Sequence, residues 1–272
     1  MAIITISRGT KSGGQAIAEY CAGQFHWPIV GWEVVQQAAA KLGVSEEALG
    51  RKMEDAPKLW DRHSATRRLY VAAVQAALAE HVAEGNLVYH GLAGGVLLRG
   101  LPSVLRVRLI APIELRVRTL MEEHQMDQVS AEQFIRDVDA ARASWVKIMY
   151  GEDINSPTLY DMVINLERMP VPVACALVTA TVRQPDFAVT DEVKAKLRDF
   201  RLACRVKVAL AGAAETRGLA LEVEAQGGVV EVSGSAPLLS TGRTGDHITQ
   251  IARSVPGVEQ VRLKVEWFDP YP

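Results

Sequence analysis

Six residues near the start of the chain, Gly9-Thr10-Lys11-Ser12-Gly13-Gly14, have the composition of a loop that can hold an anion. They follow the apolar, β-branched run "AIITIS" and precede a helical pattern, "GQAIAEYCAGQF". Glycines in such a turn let successive backbone N–H groups face one phosphate at the positive end of the following helix. Where a phosphate loop ordinarily continues with Lys and then Ser or Thr, this chain has Gln15 and Ala16. The anion cradle is therefore expected to persist, while the loop's usual cation and magnesium-binding hydroxyl are lost. Arg8 or Lys11 could supply a cation and Thr10 or Ser12 a hydroxyl, with Gln15 contributing its amide. Glycine-rich strand-to-helix turns also arise for structural reasons alone.

A second group lies at helical spacing. Arg136, Asp139 and Arg142 recur every three residues and share one helix face. They could reach over bound phosphate, or form a solvated ion ladder. Arg116 and Arg118 lie two apart, so at most one of them can face the loop. His90 and Asp161 fall at or near strand ends, where α/β proteins place ligand groups; a packed, hydrogen-bonded histidine is the equal alternative for His90.

The elements that would position these residues alternate in type. Strand-like runs at 2–7, 86–92, 104–111 and 160–165 are separated by helical patterns, among them 14–25, 32–42 and an Ala- and Leu-rich stretch ending near Glu84. Pro112 is expected at the first position of one helix, and Ser130 with Glu132 at the opening of the next. This alternation predicts an α/β fold with three layers, a parallel sheet between helices. "RQPDFAVT" at 183–190 predicts a boundary, giving domains 1–183 and 190–272. The second reads helix, strand, "QGG" turn, strand, helix, strand, a small α+β (αββαβ) domain with a β-hairpin.

Composition narrows the partners. Thirty basic and thirty-two acidic residues leave a net charge of −2, which argues against nucleic acid held by bulk charge. Cys21, Cys175 and Cys204 are scattered and odd in number, so they predict neither a disulfide framework nor a metal site; small core residues are expected. No targeting pattern and no apolar run of membrane length appear, and a cytoplasmic protein is expected.

Residues 1 to about 182 resemble the cytidylate-kinase-like family, a branch of the P-loop nucleoside monophosphate kinases. The resemblance rests on "ITISRGTKSGG", "VLRVRLIAPIELRV", the Asp-x-x-Arg of "RDVDAARASW", and "YGEDINSPTLYDMVIN". It implies phosphoryl transfer from ATP, with Mg²⁺, to a pyrimidine nucleoside monophosphate. It implies a lid helix carrying Arg142 over the phosphates, Arg116 and Lys11 as further cations, Gly9 to Gln15 around the nucleotide, and Arg8, Asp139 and Asp161 toward substrate. The chain departs from the family at Gln15 and Ala16, at Gly31 where an aspartate is common, and at Leu92 where an arginine is. These departures leave open a non-catalytic nucleotide sensor. The tail from about 190 resembles a BON domain through "GGVVEVSGSA" and "IARSVPGVEQVRLKV". That implies a ligand, protein-partner or self-association module. Its 11 basic and 11 acidic residues from Thr190 to Pro272 give no surplus to attract an anionic membrane.

Overall fold

The computed structural model describes residues 2–42, 65–237 and 241–268. Five parallel strands form one sheet in the order β2-β3-β1-β4-β5: β1 (Ile3–Arg8), β2 (Ile29–Val30), β3 (Leu87–Tyr89), β4 (Val104–Ile110) and β5 (Met162–Asn165). β1 occupies the centre, and Ile3, Ile4 and Ile6 are all buried, as a strand covered on both faces requires. Helices α1 (Gly14–Phe25), α2 (Glu33–Leu42), α3 (Ala65–Val82), α4 (Gly94–Leu97), α5 (Ile113–His124), α6 (Gln128–Tyr150) and α7 (Val171–Val182) intervene along the chain. α1 buries Ile17, Ala18, Cys21 and Ala22, and α7 buries Ala174, Cys175, Val178 and Val182, in one apolar cluster with Ile4, Ile6, Val107 and Leu109. The α/β sheet expected from the alternation is present.

Two helix starts differ from their expected positions. Pro112 is the N-cap of α5 rather than its first helical residue; its extended ψ delivers the chain into the helix, and its missing N–H costs nothing there. α6 opens at Gln128, because Asp127 caps it by accepting from Ser130 N–H (3.0 Å) and Ser130 Oγ (2.6 Å). Ser130 is thus the partner of the cap and not the cap itself.

The remaining elements are α8 (Asp191–Gly212), β6 (Ala220–Gln226), β7 (Val229–Pro237), α9 (Thr241–Arg253) and β8 (Gln260–Phe268). They follow the expected αββαβ order. β6 and β7 pair antiparallel, with Gln226 opposite Val229, and β7 pairs parallel with β8. Gly227 and Gly228 both have positive φ, 55° and 83°, the backbone that a two-residue hairpin turn needs. Val206, Leu210, Val230, Val232, Ile248 and Ala252 form the core of this sheet-and-helix unit.

The described residues group into two units, 2–36 with 85–190, and 37–42 with 65–84, 191–237 and 241–268. In this grouping α3 falls with the second unit, although it precedes the 183–190 boundary in the chain. Ala76 and Ala79 of α3 pack on Cys204 of α8, with Phe200 and Val208 beside them. Glu80 accepts from Arg205 Nε and Nη2, each at 2.6 Å. All three cysteines are free and buried. No helix among the described residues is long and apolar enough to cross a membrane.

Candidate functional site

The C-terminal end of β1 runs directly into the Gly9–Gly14 loop, which ends at the first residue of α1. Gly13 is the helix N-cap with φ 75°, and no side chain caps the helix. The first helical hydrogen bond runs from Ile17 N–H to Gly13 O. The amides of Gly14, Gln15 and Ala16 therefore precede the intrahelical ladder. No acidic residue lies in the first turn, so the positive end of the helix dipole is uncompensated there.

A cavity of about 720 Å³ opens on these amides. Its walls come from the loop, from Arg8 and His90 at the ends of β1 and β3, and from Phe134, Val138 and Arg142 of α6. Arg8 lies across the helix start: a Cβ on Gly14 would come within 2.3 Å of Arg8 Cδ and 3.1 Å of His90 Nε2. Burial, then the neighbouring Arg142, brings the Arg8 pKa down to about 10. It remains a cation at neutral pH. Gln15, in the usual lysine position, donates to Glu19 Oε1 at 2.6 Å, and both residues line the cavity. The cations that line the cavity are Arg8, Lys11 and Arg142.

α6 is latched to the loop through Asp139. Its Oδ1 accepts from Thr10 N–H (2.9 Å) and Thr10 Oγ1 (2.7 Å), and its Oδ2 from Arg116 Nη1 (2.5 Å). Arg142 Nη1 donates to Thr10 Oγ1 at 3.1 Å. Burial works against ionisation of Asp139, but the hydrogen bonds from Arg116 and Thr10 outweigh it and hold the pKa below the ordinary carboxylate value. The latch therefore stabilises the fold above the unfolded carboxylate pKa and is lost as pH falls through the lower folded value. Asp139→Ala strands Thr10 N–H and Arg116, and a loss of about 2 kcal/mol is expected in urea unfolding at pH 7. An unchanged midpoint would show that the latch does not hold in solution.

Several expected contacts are reassigned by this geometry. Thr10 spends its N–H and hydroxyl on Asp139, and Asp139 spends both oxygens on Thr10 and Arg116, so the pair ties α6 to the loop. Ser12 Oγ is buried and donates to Gly9 O at 2.8 Å. Lys11 Nζ is paired with Glu123 at the end of α5 and lies 3.4 Å from His124 Nε2, and all three residues line the loop cavity. Arg116 turns inward while Arg118 is exposed; Arg136 is exposed and pairs with Glu132. Asp161 does not line this cavity. It sits just before β5, accepting from Arg106 N–H (2.8 Å), Nε (3.1 Å) and Nη2 (2.6 Å). Arg106 pairs in register with Thr5, three residues before Arg8, which puts Asp161 roughly 10 Å down the sheet from the loop.

His90 is drawn into the site by the fold. Its Nε2 is buried without a hydrogen-bond partner among the described residues. Burial, then Arg8 and Arg142, lowers its pKa to about 4. Because the unfolded imidazole takes up a proton near pH 6.5 and the folded one does not until about 4, stability is expected to fall as pH drops through that window. His90→Asn should flatten this limb in urea unfolding between pH 7 and 4; a superimposable pH profile would refute it. Gly31 has a local reason: a Cβ there would sit 3.0 Å from His90 O, so the aspartate common in the family has no room without moving backbone.

A phosphate group, such as a nucleotide would bring, would meet the helix-start amides and Arg8. Ala16 removes the hydroxyl that ordinarily holds magnesium in such a loop, and the Thr10 and Ser12 hydroxyls donate to Asp139 Oδ1 and Gly9 O. Among the described residues no group of three His, Cys, Asp or Glu is placed to hold a metal ion.

The family model for the cytidylate kinase-like family matches residues 3–168. The chain belongs to the cytidylate kinase-like family. It is 26% identical over 188 residues to the cytidylate kinase of Pyrococcus horikoshii, covering 68% of this chain and 90% of that one. An uncharacterized protein from Eubacterium ventriosum superposes with a TM-score of 0.52 at 15% identity, over 67% of this chain and 98% of that one. A shikimate kinase from Bacteroides thetaiotaomicron aligns over 67% and 99% of the two chains with 12% identity and a TM-score of 0.42.

Proposed function

We propose that this chain binds ATP through the helix-start amides of the Gly9–Gly14 loop and transfers its terminal phosphoryl group to a small acceptor, a pyrimidine nucleoside monophosphate. The observation that carries the reading is the placement of Arg8 and Arg142 beside an uncapped helix start whose usual lysine is Gln15. A phosphoryl group gathers negative charge on its oxygens during transfer, and preorganised guanidiniums stabilise that charge. Neutral His90 adds a polar group without a second proton to lose. Phe134 and Val138 offer the cavity an apolar wall toward the nucleoside. Any magnesium would arrive on the nucleotide's own phosphates, and no step here is routed through it.

The αββαβ unit, which resembles a BON domain, fits a module for self-association or for a protein or small-ligand partner. A non-catalytic sensor, in which the loop binds nucleotide and this unit reports it, is favoured by Ala16 and the committed Thr10 and Ser12 hydroxyls. One assay separates the two readings. Thermal shift with ATP, ADP and CMP should reveal binding, with a ligand at 100 times its Kd adding about 2.7 kcal/mol. Phosphate transfer from ATP to CMP then supports the enzyme, and clear binding without transfer to any monophosphate supports the sensor. No nucleotide-induced shift would overturn both.

A further inference from the structure

The sheet of the αββαβ unit has the order β6-β7-β8, so among the described residues no strand pairs with the outer edge of β6 or of β8. The two edges differ. β6 is flanked by α8: Lys207 Nζ pairs with Glu222 Oε2 at 2.5 Å, and Asp199 Oδ1 accepts from Gly227 N–H at 2.9 Å. Glu222 and Glu224 are exposed on β6, and a second copy of that strand laid antiparallel about Val223 would set them opposite each other as like charges. β8 runs nine residues, Gln260–Phe268, without proline or glycine, and stays in register with β7 along its whole length. A long, regular edge of this kind is a template for a further strand.

Gln260, the first residue of β8, donates its N–H to Gly228 O at 3.3 Å. Backbone groups alternate between the two sides of a strand, so Gln260, Arg262, Lys264 and Glu266 address β7, while Val261, Leu263, Val265 and Trp267 turn N–H and C=O to the free edge. These four also share a face, the one toward α9. A Cβ on Gly245 of α9 would lie 3.6 Å from Leu263 Cδ1 and 4.0 Å from Trp267 Cζ2. That cover is incomplete, since Leu263 remains 39% exposed. On the opposite face Lys264 pairs with Glu231 of β7 at 2.8 Å, whereas Arg262 and Glu266 form no ion pair among the described residues.

We propose that β8 is a self-association edge, joined antiparallel to β8 of a second copy about a two-fold axis at Lys264. The proposal rests on the self-association reading of the αββαβ unit and is independent of the nucleotide reading. Lys264 is the midpoint of the strand, so this register overlaps all nine residues and joins two three-stranded sheets into one of six. Leu263 then meets Val265 of the second copy, and Val261 meets its Trp267, in pairs that exchange backbone hydrogen bonds and cover the exposed leucine. On the other face Arg262 meets Glu266 of the second copy, and Glu266 meets its Arg262, so each free charge gains a counter-ion. The two Lys264 side chains meet at the axis, each already neutralised by Glu231. Sliding the second copy two residues one way sets Arg262 against Lys264, and two residues the other way leaves Arg262 opposite Phe268. The central register pairs both free charges.

The molar mass of the full chain is followed by sedimentation equilibrium over a dilution series, with circular dichroism to confirm that each variant folds. A reversible monomer–dimer equilibrium is expected. Val265→Pro removes an edge-facing N–H and no bond to β7, and should leave a folded monomer. Arg262→Glu and Glu266→Arg each set like charges opposite one another at two symmetry-related places, and each should raise the dimer Kd about tenfold. The two substitutions together exchange the partners and should restore the natural Kd; this rescue decides the matter if Val265→Pro fails to fold. A monomer at every concentration overturns both the edge and the self-association reading. A dimer unmoved by Val265→Pro and by both single reversals overturns the edge alone, and a double variant no tighter than the single ones overturns the register. Assemblies that grow beyond the dimer, or tighter association in Glu266→Arg, would mean that β8 joins the acidic edge of β6 head to tail, and overturn the two-fold pairing.

Discussion

Arg8→Met is expected to lower phosphoryl transfer from ATP by on the order of 10³, with nucleotide affinity falling much less. Methionine keeps most of the packing over Gly14 and removes the charge, so the loss reads the cation and not the fold. Arg8 is preorganised: its stem is held against the helix start and its head lies beside His90 and Arg142. Such a group need not be reorganised at the moment of reaction, which is why one well-placed charge on the transferring group carries several kcal/mol of barrier. Arg142→Ala removes the second charge and is expected to act in the same direction, with the larger share of its effect in kcat. The comparison of kcat and KM for the natural chain and both variants, with circular dichroism to confirm folding, tests this. Transfer that survives both substitutions would show that neither arginine faces the reacting phosphate.

The loop itself was legible in the sequence because everything it needs is local: a buried strand, glycines at the turn and an uncapped helix start. The parallel sheet was legible for a similar reason, as alternating apolar runs and helical patterns permit few other topologies. What the sequence hid was partnership across the fold. The single spacing of "VLRVR" gives no sign that Arg106 meets Asp161 while Arg108 meets Ser7 and Asn155. That distinction depends on which residues the neighbouring strand and the segment before β5 bring alongside. Asp139 was expected at the substrate because it shares a helix face with Arg142; whether such a carboxylate faces ligand or loop is decided by the reach of Arg116 from another helix. Lys11 could be placed in the loop by eye but not paired with Glu123, more than a hundred residues away. The membership of α3 was hidden too, since an alanine-rich helix has no face distinctive enough to name its partner. His90 carried one usable signal, a polar residue ending an apolar strand, and its burial against Arg8 became apparent only from the fold.

Nucleotide-induced stabilisation is expected to vanish in Gly13→Val and to survive, weakened, in Gly14→Ala. The two glycines do different work. Gly13 has φ 75°, in the left-handed region, where a β-branched residue is strongly disfavoured; its Cβ would also press within 3.1 Å of Leu166 Cδ1. Valine there forces the backbone out of the turn and swings the amides of Gly14 and Gln15 away from a common anion. Gly14 begins the helix without positive φ, so alanine keeps the amides aimed. Its methyl group instead collides with Arg8, at 2.3 Å from Cδ and 3.2 Å from Cβ, and drives that cation off the helix start. Thermal shift with ADP should therefore show no increment for Gly13→Val and a reduced one for Gly14→Ala. Turnover should fall in Gly14→Ala about as far as in Arg8→Met. An ADP shift in Gly13→Val equal to that of the natural chain would remove the loop from the binding site. Full turnover in Gly14→Ala would mean that Arg8 need not lie over the helix start for transfer to occur.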